Sequence, residues 1–160
     1  MQMLKISKNQ NEYRFILDNL REEDKQELYL LWGNDWYDLA LQSLKDAEVL
    51  VFWGRNKTGE IVPVAMGGFY PVLNKQCKMA CVWLLSTMFV KYNKTSLMRV
   101  IKQQVLKASL DYKIMYNFIC SSNSQAKMWL KKLGFCFDNP KPQNITLKSE
   151  FEFFYKVNTK

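Results

Sequence analysis

Apolar residues recur along this chain in two rhythms, one of period two and one of period near 3.6, and the changes between them divide it into elements. Tyr13, Phe15 and Leu17 alternate with other residues and predict a first strand. Leu20-Arg21-Glu22-Glu23-Asp24 opens a helix with acids in its first turn, where the helix dipole favours them. That helix runs through Leu28, Leu31 and Trp32 to Gly33. A second starts at Asp35, with Trp36, Leu39, Ala40 and Leu44 along one side. Strands are predicted over 49–53 and 61–70, joined by Asn56-Lys57-Thr58-Gly59, a composition suited to a hairpin turn. A longer strand is predicted over 79–90. After the polar break Lys91-Tyr92-Asn93-Lys94, a long helix begins near Thr95 or Ser96. Its apolar stripe is Leu97, Ile101, Val105 and Ala108, with Arg99, Lys102 and Gln103 facing away. A strand over 113–120 ends at Ser121-Ser122-Asn123-Ser124. Ala126, Trp129, Leu130 and Leu133 then predict a helix with a buried face, closed by Gly134. A loop around Pro140 and Pro142 leads to a last strand carrying Phe151, Phe153, Tyr155 and Val157 on one face. The predicted order is β-α-α-β-β-β-α-β-α-β, a mixed α/β fold with a mostly antiparallel sheet flanked by helices.

Composition narrows the chemistry. The 160 residues are 48% hydrophobic and 14% aromatic, enough for a packed core and one domain over 1–160. There is no histidine, so neither a histidine-based nucleophilic relay nor a histidine-ligated metal or haem site is available. Cys77 and Cys81 are separated by three residues, and Cys120 and Cys136 stand apart. This is no metal-binding or redox spacing, and the thiols read as small buried hydrophobes. No metal is expected. The N-terminus lacks an apolar core of signal-peptide length, and no run reaches the roughly 18 apolar residues of a membrane span. A cytoplasmic protein is expected.

The formal net charge is +8, from 23 basic and 15 acidic residues, and its distribution is uneven. Acids crowd between Glu12 and Glu60, and lysines between Lys91 and Lys132. An anion therefore belongs with the later half. There, the strand before Lys91 feeds a helix whose first-turn amides lack intrahelical partners and carry the positive end of the dipole. Lys91, Lys94, Thr95 and Ser96 lie at that junction. Thr95 or Ser96 is equally explained as a helix cap without any ligand.

Asn123-x-x-Ala126-x-x-Trp129-Leu130-x-Lys132-x-Gly134-Phe135 resembles the closing motif of the GNAT family of N-acetyltransferases. The element order matches that family over nearly the whole chain. A closer likeness, carried by Arg21-Glu22-Glu23-Asp24, Trp83-Leu84-Leu85-Ser86-Thr87 and the segment from Asn117-Phe118 to Gly134-Phe135, is to a phage-encoded GNAT-like group. That group is described as internal virion (core) protein A of short-tailed phages. The resemblance implies acetyl-CoA as cofactor. The backbone at Met88, Phe89 and Val90 would meet the thioester, Lys94, Thr95 and Ser96 the pyrophosphate, and Asn123 the pantetheine arm. Lys127, with Lys131 one turn on, would face the phosphates.

Two departures from the family pattern stand out. The loop that carries glycines in the family reads Lys91-Tyr92-Asn93-Lys94-Thr95-Ser96-Leu97-Met98 here, with none. Side chains restrict the close backbone approach that glycine permits, and lysines bind phosphate as point charges instead. The family's acidic tyrosine position is Leu130, which has no proton to give: either another group such as Tyr116 or Tyr92 serves, or the chemistry is lost. Deprotonating an acceptor amine needs a base, and Glu48, Glu23 and Asp24 are the candidates, each also explained as an ordinary structural charge. The five tryptophans read as core, with Trp36 as a substrate wall, and Lys127, Lys131 and Lys132 also read as a solvated helix face. The expected function is N-acetyl transfer from acetyl-CoA to an amine on a small molecule or protein. The alternative is a non-catalytic GNAT-fold protein that serves phage virion assembly or binds another protein, in the host cytoplasm or the virion. Nucleic acid is the least favoured partner, because no nucleic-acid motif accompanies the lysines.

Overall fold

In the computed structural model, which describes residues 3–137 and 150–159, the segment around Tyr13 is a helix, not a strand. The buried positions of α1 (Gln10–Asp18) are Glu12, Tyr13, Ile16 and Leu17. Neighbours one and four residues apart are helical spacing, and the alternation of Tyr13, Phe15 and Leu17 passes over the fully buried Ile16. Asn9 starts the helix by accepting the Asn11 N–H at 2.9 Å. The first strand lies upstream as β1 (Met3–Ser7). It is tied to α1 by the Glu12 carboxylate, which accepts from Ser7 Oγ and Lys5 Nζ, and by Tyr13 OH, which donates to Ser7 O.

The chain then follows the predicted sequence with one helix more in its first half. α2 (Glu22–Trp32) stops at Gly33, where φ is 68°, and a short 3-10 turn leads to α3 (Trp36–Ser43). β2 (Val49–Arg55) and β3 (Ile61–Val72) flank a turn in which Asn56 Oδ1 accepts from the Thr58 and Glu60 N–H groups. β4 (Met79–Ser86) is shorter than the predicted 79–90. Thr87 ends it: its N–H and hydroxyl both donate to Val64 O at 2.8 Å, and its Oγ1 accepts from Phe89 N–H at 3.2 Å. The chain therefore turns, and residues 88–92 form a 3-10 turn before α4 (Lys94–Ala108). β5 (Ile114–Cys120), α5 (Ser124–Lys132) and β6 (Phe151–Val157) complete the described elements. The predicted loop at Pro140 and Pro142 lies outside the described residues.

Six strands form one mixed sheet in the order β1-β2-β3-β4-β5-β6. β1 with β2, β2 with β3, and β5 with β6 are antiparallel, whereas β4 and β5 run parallel. A parallel pair needs a long crossover, which α4 supplies. The α/β class expected from the sequence holds.

Two compact units divide the chain: residues 1–68 with 83–101, and residues 69–82 with 102–160. In the first, α1, α2 and α3 bury Tyr13, Ile16, Leu17, Leu28 and Leu41 together with Val49, Val51 and Met66 of the sheet. At about 25 cal/mol per Å² of apolar surface, each such side chain contributes roughly 1.5–3 kcal/mol before entropy is counted. In the second, Met115, Ile119 and Phe154 are buried, and Phe135 packs edge-on to Phe154 at 5.4 Å. Of the predicted stripe of α4, Leu97, Val105 and Ala108 are buried and Ile101 is half-buried. α5 differs, for it has no fully buried residue, and Ala126, Trp129 and Leu130 are half-covered.

Candidate functional site

The end of β4 and the start of α4 are joined by a turn whose main-chain donors are nearly all committed. Thr87 N–H donates to Val64 O, Met88 N–H to Asn19 O at 2.9 Å, Phe89 N–H to Thr87 Oγ1, and Val90 N–H to Thr87 O at 3.1 Å. Met88, Phe89 and Val90 are thus not strand residues, and their amides are occupied within the protein. A thioester oxygen finds no open N–H on them in this conformation.

Asn93 fixes the turn from below. Its side chain accepts from Arg55 N–H at 3.0 Å and donates to Arg55 O at 2.8 Å and to Phe89 O at 2.9 Å. Gly54 makes this possible, since a Cβ there would collide with the Asn93 amide. Asn93 O accepts Leu97 N–H, the first bond of α4, so the amides of Lys94, Thr95 and Ser96 precede the helical ladder. Lys91, Lys94 and Thr95 are exposed. Neither Thr95 nor Ser96 caps the helix: both lie inside it, and Ser96 Oγ donates to Asn93 O at 3.1 Å. Nothing in the sequence pattern marks Asn93, because one asparagine in a polar break has no periodicity.

The three candidate carboxylates occupy different settings. Asp24 is buried, accepts Ser86 N–H at 2.9 Å, and pairs with Arg21 at 3.1 Å. Burial pushes its carboxyl up, and the Arg21 guanidinium pulls it back down. A base so enclosed has no access to an amine. Glu23 sits exposed on the first turn of α2, and Glu48 is exposed just before β2. Neither carboxylate has a hydrogen bond or ion pair among the described residues. The Glu48 carbonyl and the Trp83 indole both crowd Gly68, at 2.8 Å and 3.1 Å from where its Cβ would stand. Trp36 and Trp83 pack against the first unit's core, while Trp32 is 38% exposed, unlike the core residue expected.

In the second unit Asn123 is buried and caps α5, its side chain accepting from Ala126 N–H at 3.4 Å. Lys127 pairs with Glu152 at 2.5 Å. Its ammonium lies 5.9 Å from the Phe137 ring centre, and that of Lys131 5.7 Å. Ser124, Met128 and Lys132 join these two lysines along an open groove of about 560 Å³. Leu130 is half-buried and aliphatic. Tyr116 pairs in register with Cys81, and burial first, then the thiol, pushes its phenol up. Tyr92 is exposed, with the Lys91 ammonium 5.2 Å from its ring centre. Among the described residues no group of three or more Cys, Asp or Glu is placed to hold a metal, and no helix is long and apolar enough to cross a membrane.

No protein-family model and no curated protein matches the sequence. Solved structures do match. The spermidine N-acetyltransferase of Vibrio cholerae, in complex with CoA and spermine, aligns over 98% of this chain and 95% of its own, at 12% identity and a TM-score of 0.61. A GNAT-family acetyltransferase from Streptococcus pneumoniae aligns over 99% and 100%, at 9% identity and a TM-score of 0.63. A domain from Methanocaldococcus jannaschii aligns over 98% of both chains, at 13% identity and a TM-score of 0.64. At such identities the likeness is one of backbone alone. The fold of this chain is that of the GNAT acetyltransferases.

Proposed function

We propose that the chain is an acetyl-CoA-dependent N-acetyltransferase acting on an amine. One observation carries the reading within this fold: the three first-turn amides of α4 stand beside exposed Lys91 and Lys94, directly after the β4 turn. Amides at a helix N-terminus and flanking ammonium groups are suited to a pyrophosphate. The backbone there is shaped by Asn93 instead of glycine, and lysine charge makes up for the looser cradle. The cofactor supplies an activated acetyl thioester. The protein's part is to hold its phosphates and accept a proton from the amine. Glu48 is assigned as the base, because it is exposed at a strand start beside Trp83, whereas Glu23 lies on an outer helix turn and Asp24 is enclosed. Thiol release from acetyl-CoA in the presence of polyamines and other primary amines tests this. Turnover on one of them is the expected result, and Glu48→Gln is expected to lower kcat about 100-fold or more while leaving acetyl-CoA binding intact. Absence of thiol release with every amine contradicts it.

A second reading draws on the occupied amides of Met88, Phe89 and Val90 and on Leu130. In it the fold is retained without catalysis and serves virion assembly or another protein, in a host cytoplasm or a phage particle. Acetyl-CoA that binds but is never turned over favours this reading. Turnover removes it.

A further inference from the structure

The corner between α1 and α2 lies against the end of β4 at successive points. Met88 N–H donates to Asn19 O at 2.9 Å, Leu20 forms an antiparallel bridge with Thr87, and Arg21 N–H donates to Ser86 O at 3.0 Å. Asp24, within the first turn of α2, closes the row. Its Oδ2 accepts both Ser86 N–H at 2.9 Å and Arg21 Nε at 3.3 Å, and its Oδ1 accepts from the other end of the guanidinium at 3.1 Å. Phe15 of α1 stacks on Phe89 with ring centres 6.2 Å apart. Leu20, Asp24, Ser86 and Thr87 are all buried.

A buried carboxylate–guanidinium pair is an inefficient source of stability, because the cost of taking two charges out of water offsets their attraction. It is well suited to fixing position, since a directed acceptor for one particular N–H admits one register. Ser86 is the last residue of β4, and α4 opens at Lys94 after the hydrogen-bonded 3-10 turn at 88–92. How Ser86 is held therefore decides how the chain leaves the strand and where the first-turn amides of α4 point.

We propose that Asp24 is a positioning residue for the acyl-donor site: by gripping Ser86 it registers the α1–α2 corner on β4 and orients the N-terminus of α4. The inference rests on the donor reading above. The test compares the wild type with Asp24→Asn, Asp24→Leu and the double variant Arg21→Met/Asp24→Leu. Each is measured by thermal unfolding, by amide hydrogen exchange at Ser86 and Met88, and by calorimetry with acetyl-CoA. The double variant removes both charges at once, so its melting point is expected to stay at or above that of Asp24→Leu. It is nevertheless expected to exchange the Ser86 amide at least tenfold faster and to bind acetyl-CoA at least fivefold more weakly than wild type. Asp24→Asn keeps an acceptor for Ser86 and is expected to recover most of the protection. A folded double variant with wild-type exchange or wild-type affinity overturns the proposal, because the pair would then be structural only. Should the wild type give no heat with acetyl-CoA, the donor reading falls by itself. Exchange then still decides whether Asp24 holds this junction: a fast Ser86 amide in the double variant upholds that, and a slow one overturns it.

Discussion

Asn93 shows how much one side chain can determine. Three hydrogen bonds tie it to Arg55 and Phe89, and only 3% of it is exposed. Asn93→Leu strands an N–H and two carbonyls in a part-buried setting, where each group left unsatisfied costs about 1 kcal/mol or more. A loss of about 3 kcal/mol in urea unfolding is expected, along with weaker acetyl-CoA binding; an unchanged midpoint would show that the contacts are dispensable. Gly54→Ala is expected to act through the same contact, because its Cβ displaces the Asn93 amide. A second residue-scale prediction concerns pH. Burial, with Glu23 nearby, raises the Asp24 carboxyl above its ordinary value, and Arg21 lowers it less than burial raises it. The folded state then holds this proton more readily than the unfolded state, so the contribution is present below the unfolded value near 3.9 and is lost as pH rises through the folded one. Relative to Asp24→Asn, the wild type is expected to lose stability as pH rises above the unfolded value near 3.9. A gap moving the other way would mean that the guanidinium wins.

Among the elements, the turn between β4 and α4 is the one proposed to hold the donor's phosphates. Lys94→Glu places an acid on the first turn of α4, where amides and lysines are arranged for an anion. It is expected to weaken acetyl-CoA at least tenfold while barely changing the affinity for acetyl-pantetheine, which lacks the phosphates. Equal losses for both ligands would put the phosphates elsewhere. Most elements were legible because their apolar spacing is long and regular, as in the stripe Leu97, Val105 and Ala108 of α4. Two were not. The window at 13–17 is too short to separate periods of 2 and 3.6, and the fully buried Ile16 is what decides for a helix. The apolar run at 79–90 hid the turn at Thr87, because that turn depends on a hydroxyl paired with Val64 of β3, far away in sequence. Long-range hydrogen bonds leave no local period. For the same reason Glu48 and Asp24 looked alike in sequence, although one is exposed and the other enclosed.

For the molecule as a whole, the charge is polarised along the chain. Residues 9–48 carry ten acidic and four basic side chains, while the full chain is +8. The acids lie mainly on α1, α2 and α3, and the lysines on and after the β4–α4 turn. Under the proposed function, the lysines at the start of α4 attract the anionic cofactor. Affinity for acetyl-CoA is accordingly expected to fall as salt rises from about 0.05 to 0.5 M, where screening shortens to a few ångströms. Binding of acetyl-CoA through the start of α4 is decided by calorimetric titration of the wild-type protein with acetyl-CoA at low salt. A saturable exothermic isotherm with one site per chain, weakened by Lys94→Glu, is the predicted result. No heat at millimolar acetyl-CoA would contradict it.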